Sequence, residues 1–522
     1  MNNVLRKQLA ALLIGVATVV CSATGSAQGA RPGNSDATAV PKVTGPIPIT
    51  SDSVPFLAAE RNLEPTDLKK HGYVEEEFIV TGMANVYDWA ADGALTVKTP
   101  SVPYGTRILV RRPADPGRFS GDVVVEPLNT VRRHDWSWMW GYINEQILQR
   151  GDAWVGVTLP SSAQALKKFN PGRYAAVSFP NPTPAPCTTG GNTAVSDTED
   201  GLKWDAISQV GALLKSNVPS RPLAGFRVAA LYMTTGQSPD PMTYINAIHS
   251  HANLANGKPV YDGYLVKQPG NAARINQCAP ALAAGDPRQA IKAINVPVIA
   301  VVAQGEAPAA APWRRADSDA PGDRFRLYEI AGGSHIEWAA YAGMASFKEQ
   351  TAGGIMPPGT ADWPIAARCD PEIPLKMVPI MPYAFDAALA NLQQWVRKGT
   401  APPRAARLEL KDAGTPQAPG AAVVTDQAGN GVGGVRSPYV DVPSAAFPTT
   451  SPGPGTCREL GHKVDFEGSR IQTLYGSEKS YAEKVAQSVD KLVKEHWLTE
   501  ADGRKIKQDL VAGGGRVASS GR

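Results

Sequence analysis

The chain has 522 residues, 43% hydrophobic and 19% charged, with a mean hydropathy of −0.21, the profile of a globular protein large enough for an extensive core. Its formal net charge of +4 includes Arg6 and Lys7 of an N-terminal leader. Without them about +2 remains, and charge makes no case for nucleic acid or an anionic membrane as a partner.

The first residues read as an export signal. Arg6 and Lys7 form a charged region, Leu9 to Val20 an apolar core, and Gly25-Ser26-Ala27 ends in small residues suited to cleavage after Ala27. That core is too short to span a bilayer, and the bulky Val20 argues against a lipid anchor on Cys21. The expectation is a soluble exported protein, periplasmic or secreted, with no membrane attachment once residues 1–27 are removed. Cys187, Cys278, Cys369 and Cys457 then remain. An even number in an oxidising compartment predicts two disulfides, with three possible pairings.

Short strands are predicted at Glu76–Val80, Ala94–Lys98 and Thr106–Arg111, as an antiparallel lead-in to a sheet. From Asp122 the pattern becomes an alternation of strands and helices. Strands are expected at Val123–Leu128, Ala153–Leu159, Val228–Met233, Val260–Val266, Val296–Val302 and Phe325–Ile330. Helices are expected at Trp140–Leu148, Leu202–Leu214, Met242–Ile248 and Tyr383–Val396. Such alternation implies a mostly parallel sheet flanked by helices, an α/β class. Two irregular stretches interrupt it, 160–199 and 269–295, placed to form lids over a site. The expected organisation is a core over 44–400 carrying these insertions, and a C-terminal extension over 401–522 packed on it. In the extension, strand pieces are predicted at Leu408–Lys411 and Ala421–Asp426, a helix through Tyr481, Val485, Val489 and Leu492, and a last short helix capped by Thr499.

The chemistry is concentrated in the turns that follow strands. Gly236-Gln237-Ser238 after Val228–Met233 is the first half of a G-x-S-x-G nucleophile elbow, with Asp240 in place of the second glycine. An acid is then expected after a later strand and a histidine after the last. Glu306 follows Val296–Val302, and His335 follows Phe325–Ile330 in a Gly-Gly-Ser loop. The histidine would take the hydroxyl proton, and the carboxylate would fix the imidazole tautomer. Asp317 and Asp319 compete with Glu306 for the acid role. The loop after Val123–Leu128 is where an oxyanion donor is expected, from the backbone N–H of Asn129 or Thr130. Arg132, Arg133, His134, Trp136, Trp138 and Trp140 follow it, readable as a buried aromatic anchor or as a substrate-facing rim. No metal-ligand spacing and no phosphate-binding glycine loop is present, so neither metal nor cofactor is expected.

The stretches VVVEPLN (123–129), GDAWVGVT (151–158), TYINAIH (243–249), RLYEIAGGSH (326–335) and GGVRSPYVDVP (433–443) together resemble the exported bacterial α/β-hydrolase-domain proteins, an esterase-like group. The resemblance implies an α/β-hydrolase fold, a Ser-acid-His triad and a small-molecule ester as substrate. It places His335 on the family's histidine loop and Glu306 at its acid position. At the elbow the chain departs from the family pattern. Pro239-Asp240-Pro241 follows the Gly-x-Ser, and an ungapped count back from Tyr244 reaches Thr235 rather than Ser238. The reading is a serine-type carboxylic ester hydrolase. The alternatives are an amidase or lactone hydrolase with the same triad, and an inactive relative that binds a small ligand.

Overall fold

The computed structural model describes residues 37–188, 195–236, 239–356, 369, 380–412, 414–415 and 422–514. The expected export signal and Ser238 lie outside them. Ten strands form one sheet: β1 (Lys42–Thr44), β2 (Tyr73–Trp89), β3 (Leu95–Pro113), β4 (Asp122–Pro127), β5 (Ala153–Val157), β6 (Ala230–Thr235), β7 (Gly263–Lys267), β8 (Val298–Ala303), β9 (Ser318–Ala320) and β10 (Asp323–Ile330). Their order is β1-β2-β3-β5-β4-β6-β7-β8-β10-β9. The strands from β5 across to β10 are parallel, while β1 to β3 and β9 add antiparallel edges.

The parallel strands are apolar on both faces, as the sequence requires of strands covered by helices on each side. Val123 to Val125, Leu265 with Val266, and Ile299 to Ala303 are all fully buried. Helices 138–150 and 380–398 pack together on one face, where Tyr142 stacks on Phe385 at 5.3 Å. Helix 203–215 covers the other face, its Gly211 close against Val260 and Leu231. The chain leaves β4 to one side for β5 and returns to the other for β6. That switch point, at the carboxyl ends of β4 and β6, is where open α/β sheets bind ligands.

The lead-in departs from expectation. The predicted strands Ala94–Lys98 and Thr106–Arg111 fall, but for Ala94, in one strand of 19 residues, β3, which pairs with a β2 of 17. Pro103 and Gly105, which look like breaks in the sequence, pair in regular register with Met83 and Thr81, and the register becomes irregular only beyond them, between Ala84 and Tyr87. Since β3 pairs with β5 only through Ile108 to Arg111, the rest of the hairpin projects beyond the carboxyl edge of the sheet. The two insertions run along this arm. Ser178 exchanges backbone bonds with Gly105, and Asn276 Nδ2 donates to the Tyr87 carbonyl. A disulfide between Cys187 and Cys278 joins the insertions to each other, and a second joins Cys369 to Cys457.

The C-terminal extension places its strands elsewhere than predicted, in a short antiparallel pair of Ala445–Ala446 with Val464–Asp465. Leu408 and Leu410 make only isolated bridges, to Gly433 and Val423. Helices 478–494 and 500–514 end it, and Thr499 caps the second through the Asp502 N–H at 3.1 Å. Fifteen residues make that helix longer than expected. Among the described residues no helix is long and apolar enough to cross a membrane.

Candidate active site

The acid and histidine loops are joined before any side chain is considered. Gln304 Oε1 accepts the N–H of Gly332 at 2.7 Å and of Gly431 at 3.1 Å, and the Gly305 N–H donates to the Gly333 carbonyl. Gly332 has φ +77°, a conformation only glycine adopts without strain, and a Cβ on Gly333 would lie 2.5 Å from Met381 Sδ. The Gly-Gly-Ser loop is therefore shaped by its packing. The extension buttresses it from outside, with the Ile336 N–H donating to the Glu459 carbonyl at 3.0 Å.

This scaffold brings His335 and Glu306 together. His335 Nδ1 lies 2.5 Å from Glu306 Oε1, and Glu306 Oε2 accepts the Ala303 N–H at 3.0 Å. Asp317 is spent elsewhere, on the Leu327 N–H and Arg407, and Asp319 binds Arg326 and Arg404. The carboxyl of Glu306 is buried, while the His335 side chain keeps 32% of its surface exposed. Burial alone would raise the Glu306 carboxyl. The charge of Lys267 and the bond to His335 outweigh it and hold the group down at about 2.

Lys267, the last residue of β7, had no place in the sequence reading. Its Nζ is bonded to Glu306 Oε1 and stands 3.3 Å from His335 Nδ1. Glu337, two residues past His335, was also missed. It is buried, accepts the Met381 N–H at 3.0 Å, and is pushed up to about 8 by burial against the lowering effect of backbone donors and Lys267. It acts as the cap of helix 380–398. Glu126 of β4 does the same for helix 138–150, accepting the Met139 and Trp140 N–H groups at 2.8 and 2.9 Å.

The tryptophans after β4 form a buried anchor rather than a rim. Trp136, Trp138 and Trp140 are all buried, and Trp136 Nε1 donates to the Ala340 carbonyl at 2.7 Å. His134 is buried too, its imidazole pushed down to about 4 by burial. Trp138 links the site together. Its ring centroid lies 5.9 Å from that of His335 and 5.5 Å from Lys267 Nζ. It also explains the first elbow glycine, because a Cβ on Gly236 would lie 2.3 Å from Trp138 Cγ. Arg132 and Arg133 are exposed.

The loop expected to carry the oxyanion donor is closed by the bonds of Asn129. Its N–H donates to the Trp136 carbonyl at 3.0 Å, and its Oδ1 accepts from Val131. The backbone closes a small antiparallel bridge there, so that amide is occupied. Thr130, next in the loop, is buried.

At the elbow, β6 runs through Thr235, and a helix begins at Pro239 and continues as a π turn over Tyr244–Ile248. Thr235 is buried and pairs with Val266, one residue before Lys267. Side chains alternate along a strand, so Thr235 points to the face of helix 203–215, away from Lys267. Asp240 is buried 2.9 Å from Lys203 Nζ. That ion pair explains why a carboxylate stands where the elbow pattern has glycine.

A cavity of about 240 Å³ opens between the loops after β7 and β8. Gln268, Asn271, Gln289 and Trp313 line it, with no charged side chain among its lining residues. Among the described residues no group of His, Cys, Asp and Glu is placed to hold a metal ion.

The parallel sheet, its switch point and an acid-histidine pair at its carboxyl edge define a protein of the α/β-hydrolase class. The profile of a family described as "Alpha/beta hydrolase domain" matches residues 43–508, and the chain belongs to that family. The match takes in the C-terminal extension that supports the histidine loop. No curated protein matches the chain. Among solved structures, a glucuronoyl esterase from Teredinibacter turnerae aligns over 58% of this chain and 78% of its own, at 12% identity and a TM-score of 0.26. A glucuronoyl esterase from Solibacter usitatus aligns over 54% and 82%, at 11% identity and a TM-score of 0.27. A cold-adapted esterase from an Arctic intertidal metagenomic library aligns over 54% and 95%, at 10% identity and a TM-score of 0.24. At such scores these superpositions carry no argument, and the family assignment rests on the match along the chain.

Proposed function

We propose that this hydrolase cleaves carboxylic esters through Ser238, His335 and Glu306, in an oxidising compartment outside the cytoplasm. The observation that carries the reading is the 2.5 Å contact between His335 Nδ1 and a buried, ionised Glu306, with the imidazole open to solvent at the carboxyl edge of the sheet. With Nδ1–H donating to Glu306, Nε2 is the acceptor that takes the nucleophile's proton. Ser238 attacks the ester carbonyl, His335 returns the proton to the leaving alcohol, and water then hydrolyses the acyl-enzyme by the same route. Thr235, the last residue of β6, is the less favoured nucleophile, because strand alternation turns it to the face away from Lys267. The oxyanion is served by the Thr130 N–H. The usual partner, the residue after the nucleophile, is Pro239 and has no N–H to give. Loss of one such donor costs roughly 3–4 kcal/mol of transition-state stabilisation, so turnover is slow. The two disulfides support the reading of export.

A screen of short aryl esters tests the proposal. Hydrolysis that is lost in both Ser238→Ala and His335→Ala is the expected result. A protein that binds esters without turning any over, in wild type and variants alike, would instead be an inactive relative of the family, the reading that Pro239 favours. A preference for anilides over esters would move the activity to an amidase.

A further inference from the structure

We propose that Lys267 is a positioning residue of this site, a buried ammonium that keeps Glu306 a carboxylate and fixes its Oε1 against His335. The inference rests on the triad reading above.

Lys267 closes a strand whose preceding residues, Tyr264, Leu265 and Val266, are all fully buried. Its own side chain is 1% exposed. An apolar side chain of similar length would fill the same space without the desolvation that a buried ammonium suffers, and a buried ion pair seldom gains stability over such a replacement. The charge therefore needs a reason beyond packing, and its contacts supply one. Nζ meets the same Oε1 that His335 Nδ1 meets, with the two nitrogens 3.3 Å apart and the ring of Trp138 on another side.

The other charged groups near the pair sharpen the point. Glu306 faces Lys267 from β7, His335 from the loop after β10, and the Ala303 N–H from its own turn, with Tyr142 of helix 138–150 close enough to feel its charge. Lys267 also faces Glu337, which burial keeps protonated at neutral pH, its carboxyl raised to about 8. Among the described residues, Glu306 is the carboxylate that forms an ion pair with the ammonium. In the same buried setting without Lys267, desolvation would push the Glu306 carboxyl up toward the working range. A protonated Glu306 cannot stabilise an imidazolium, so the rate would fall first on the acid side.

The test is the pH profile of kcat/KM on a short aryl ester for wild type, Lys267→Met, Lys267→Gln and Lys267→Arg, with His335→Ala in parallel. Lys267→Met should lose at least about 10-fold more at pH 5.5 than at pH 8, its acid limb moved up by about one pH unit or more. Lys267→Arg, which keeps the charge, should leave the limb near its wild-type position. An equal loss at every pH, or an unmoved acid limb in Lys267→Met, would overturn the proposal. So would failure of both neutral variants to fold, which makes the ammonium a structural requirement only. If His335→Ala matches wild type, the triad reading itself fails. If only His335→Ala is impaired and Lys267→Met retains the wild-type limb, the fault lies with Lys267 alone.

Discussion

Two of the clusters of buried charge among the described residues differ in one respect. Under the β2–β3 arm, Glu77 Oε1 accepts from Arg107 Nε at 2.6 Å and from the Tyr174 hydroxyl at 2.8 Å, while Oε2 accepts from Arg173. Asp135, from the loop after β4, faces Arg107 at 3.4 Å and accepts from Thr158. The side chains of Arg107, Glu77, Asp135 and Arg173 are all at 0% exposure. At the other cluster, Lys267 and Glu306 are as deeply buried, but their third partner, His335, is 32% exposed. Buried charge by itself does not mark a reactive site. A sealed cluster holds elements together, here the arm and the loop after β4. A cluster with one open member that can carry a proton presents its electrostatics to a ligand.

Breaking each cluster should therefore produce opposite signatures. His335→Ala should lose activity by a factor on the order of 10⁴ or more, with little change in thermal stability. Glu306→Gln should lose as much activity while also costing stability, because it leaves the buried Lys267 ammonium without its carboxylate. Asp317→Asn, read by the same ester assay, should do little. Glu77→Ala should do the reverse, costing about 3–5 kcal/mol of stability by stranding two arginines, with kcat of the folded fraction unchanged. Denaturant unfolding alongside the kinetics separates the two. Were Glu77→Ala to abolish kcat at full stability, the division between holding and reacting clusters would be wrong.

The arm's relation to the site is tested by the cross-link between the insertions. A disulfide closing 91 residues contributes about 4–5 kcal/mol in the chain-entropy description, with measured values typically about 2–4. Cys187→Ser with Cys278→Ser should lower stability by that order. If the insertions form a cap over the site, the pair should also raise KM for a bulky ester more than for a small one. Equal changes for both esters would make the insertions remote from the substrate.

The smallest effect expected is on pH dependence, where two carboxyls of one site have opposite signs. Glu306 is held at about 2, so its contribution to stability is complete above the unfolded value near 4.5 and is lost as pH falls toward 2. Glu337 is raised to about 8, so its contribution is complete below that unfolded value and is lost as pH rises toward 8. Between pH 5 and 8 the protein should lose stability with rising pH, helped by Glu126 and Glu349, each raised to about 7 by burial. Glu337→Gln should flatten part of that slope in thermal unfolding across the window. An unchanged slope would mean Glu337 is ionised in the fold at neutral pH.

Much of this was legible in the sequence, for definite reasons. Buried parallel strands are uninterrupted apolar runs, and each chemical residue follows one in a turn of small residues. That places Glu306 after β8 and His335 after β10, and the structure brings the two into contact. Lys267 was hidden because a lysine ending an apolar strand reads as the solvent-exposed end of that strand. The usable signal was its position, at the carboxyl end of a central parallel strand where ligands bind. The β2–β3 arm was read as short strands because Pro103 and Gly105 look like breaks, whereas long-range pairing carries the strand through them. The disulfide partners depend on which insertions meet in space, which spacing does not encode. The occupied amide of Asn129 was invisible for the same reason, since its partner Trp136 closes the loop only in three dimensions.

The central claim, that Ser238 is the nucleophile activated by His335 and Glu306, is tested most directly by covalent labelling. The protein is treated with an aryl phosphonate directed at reactive serines, and the adduct is located by peptide mass mapping in wild type and His335→Ala. The account predicts one adduct, on Ser238, that appears in step with loss of ester hydrolysis and does not form in His335→Ala. An adduct on Thr235 or any other residue, or full ester hydrolysis by a protein that carries a label on Ser238, would contradict it.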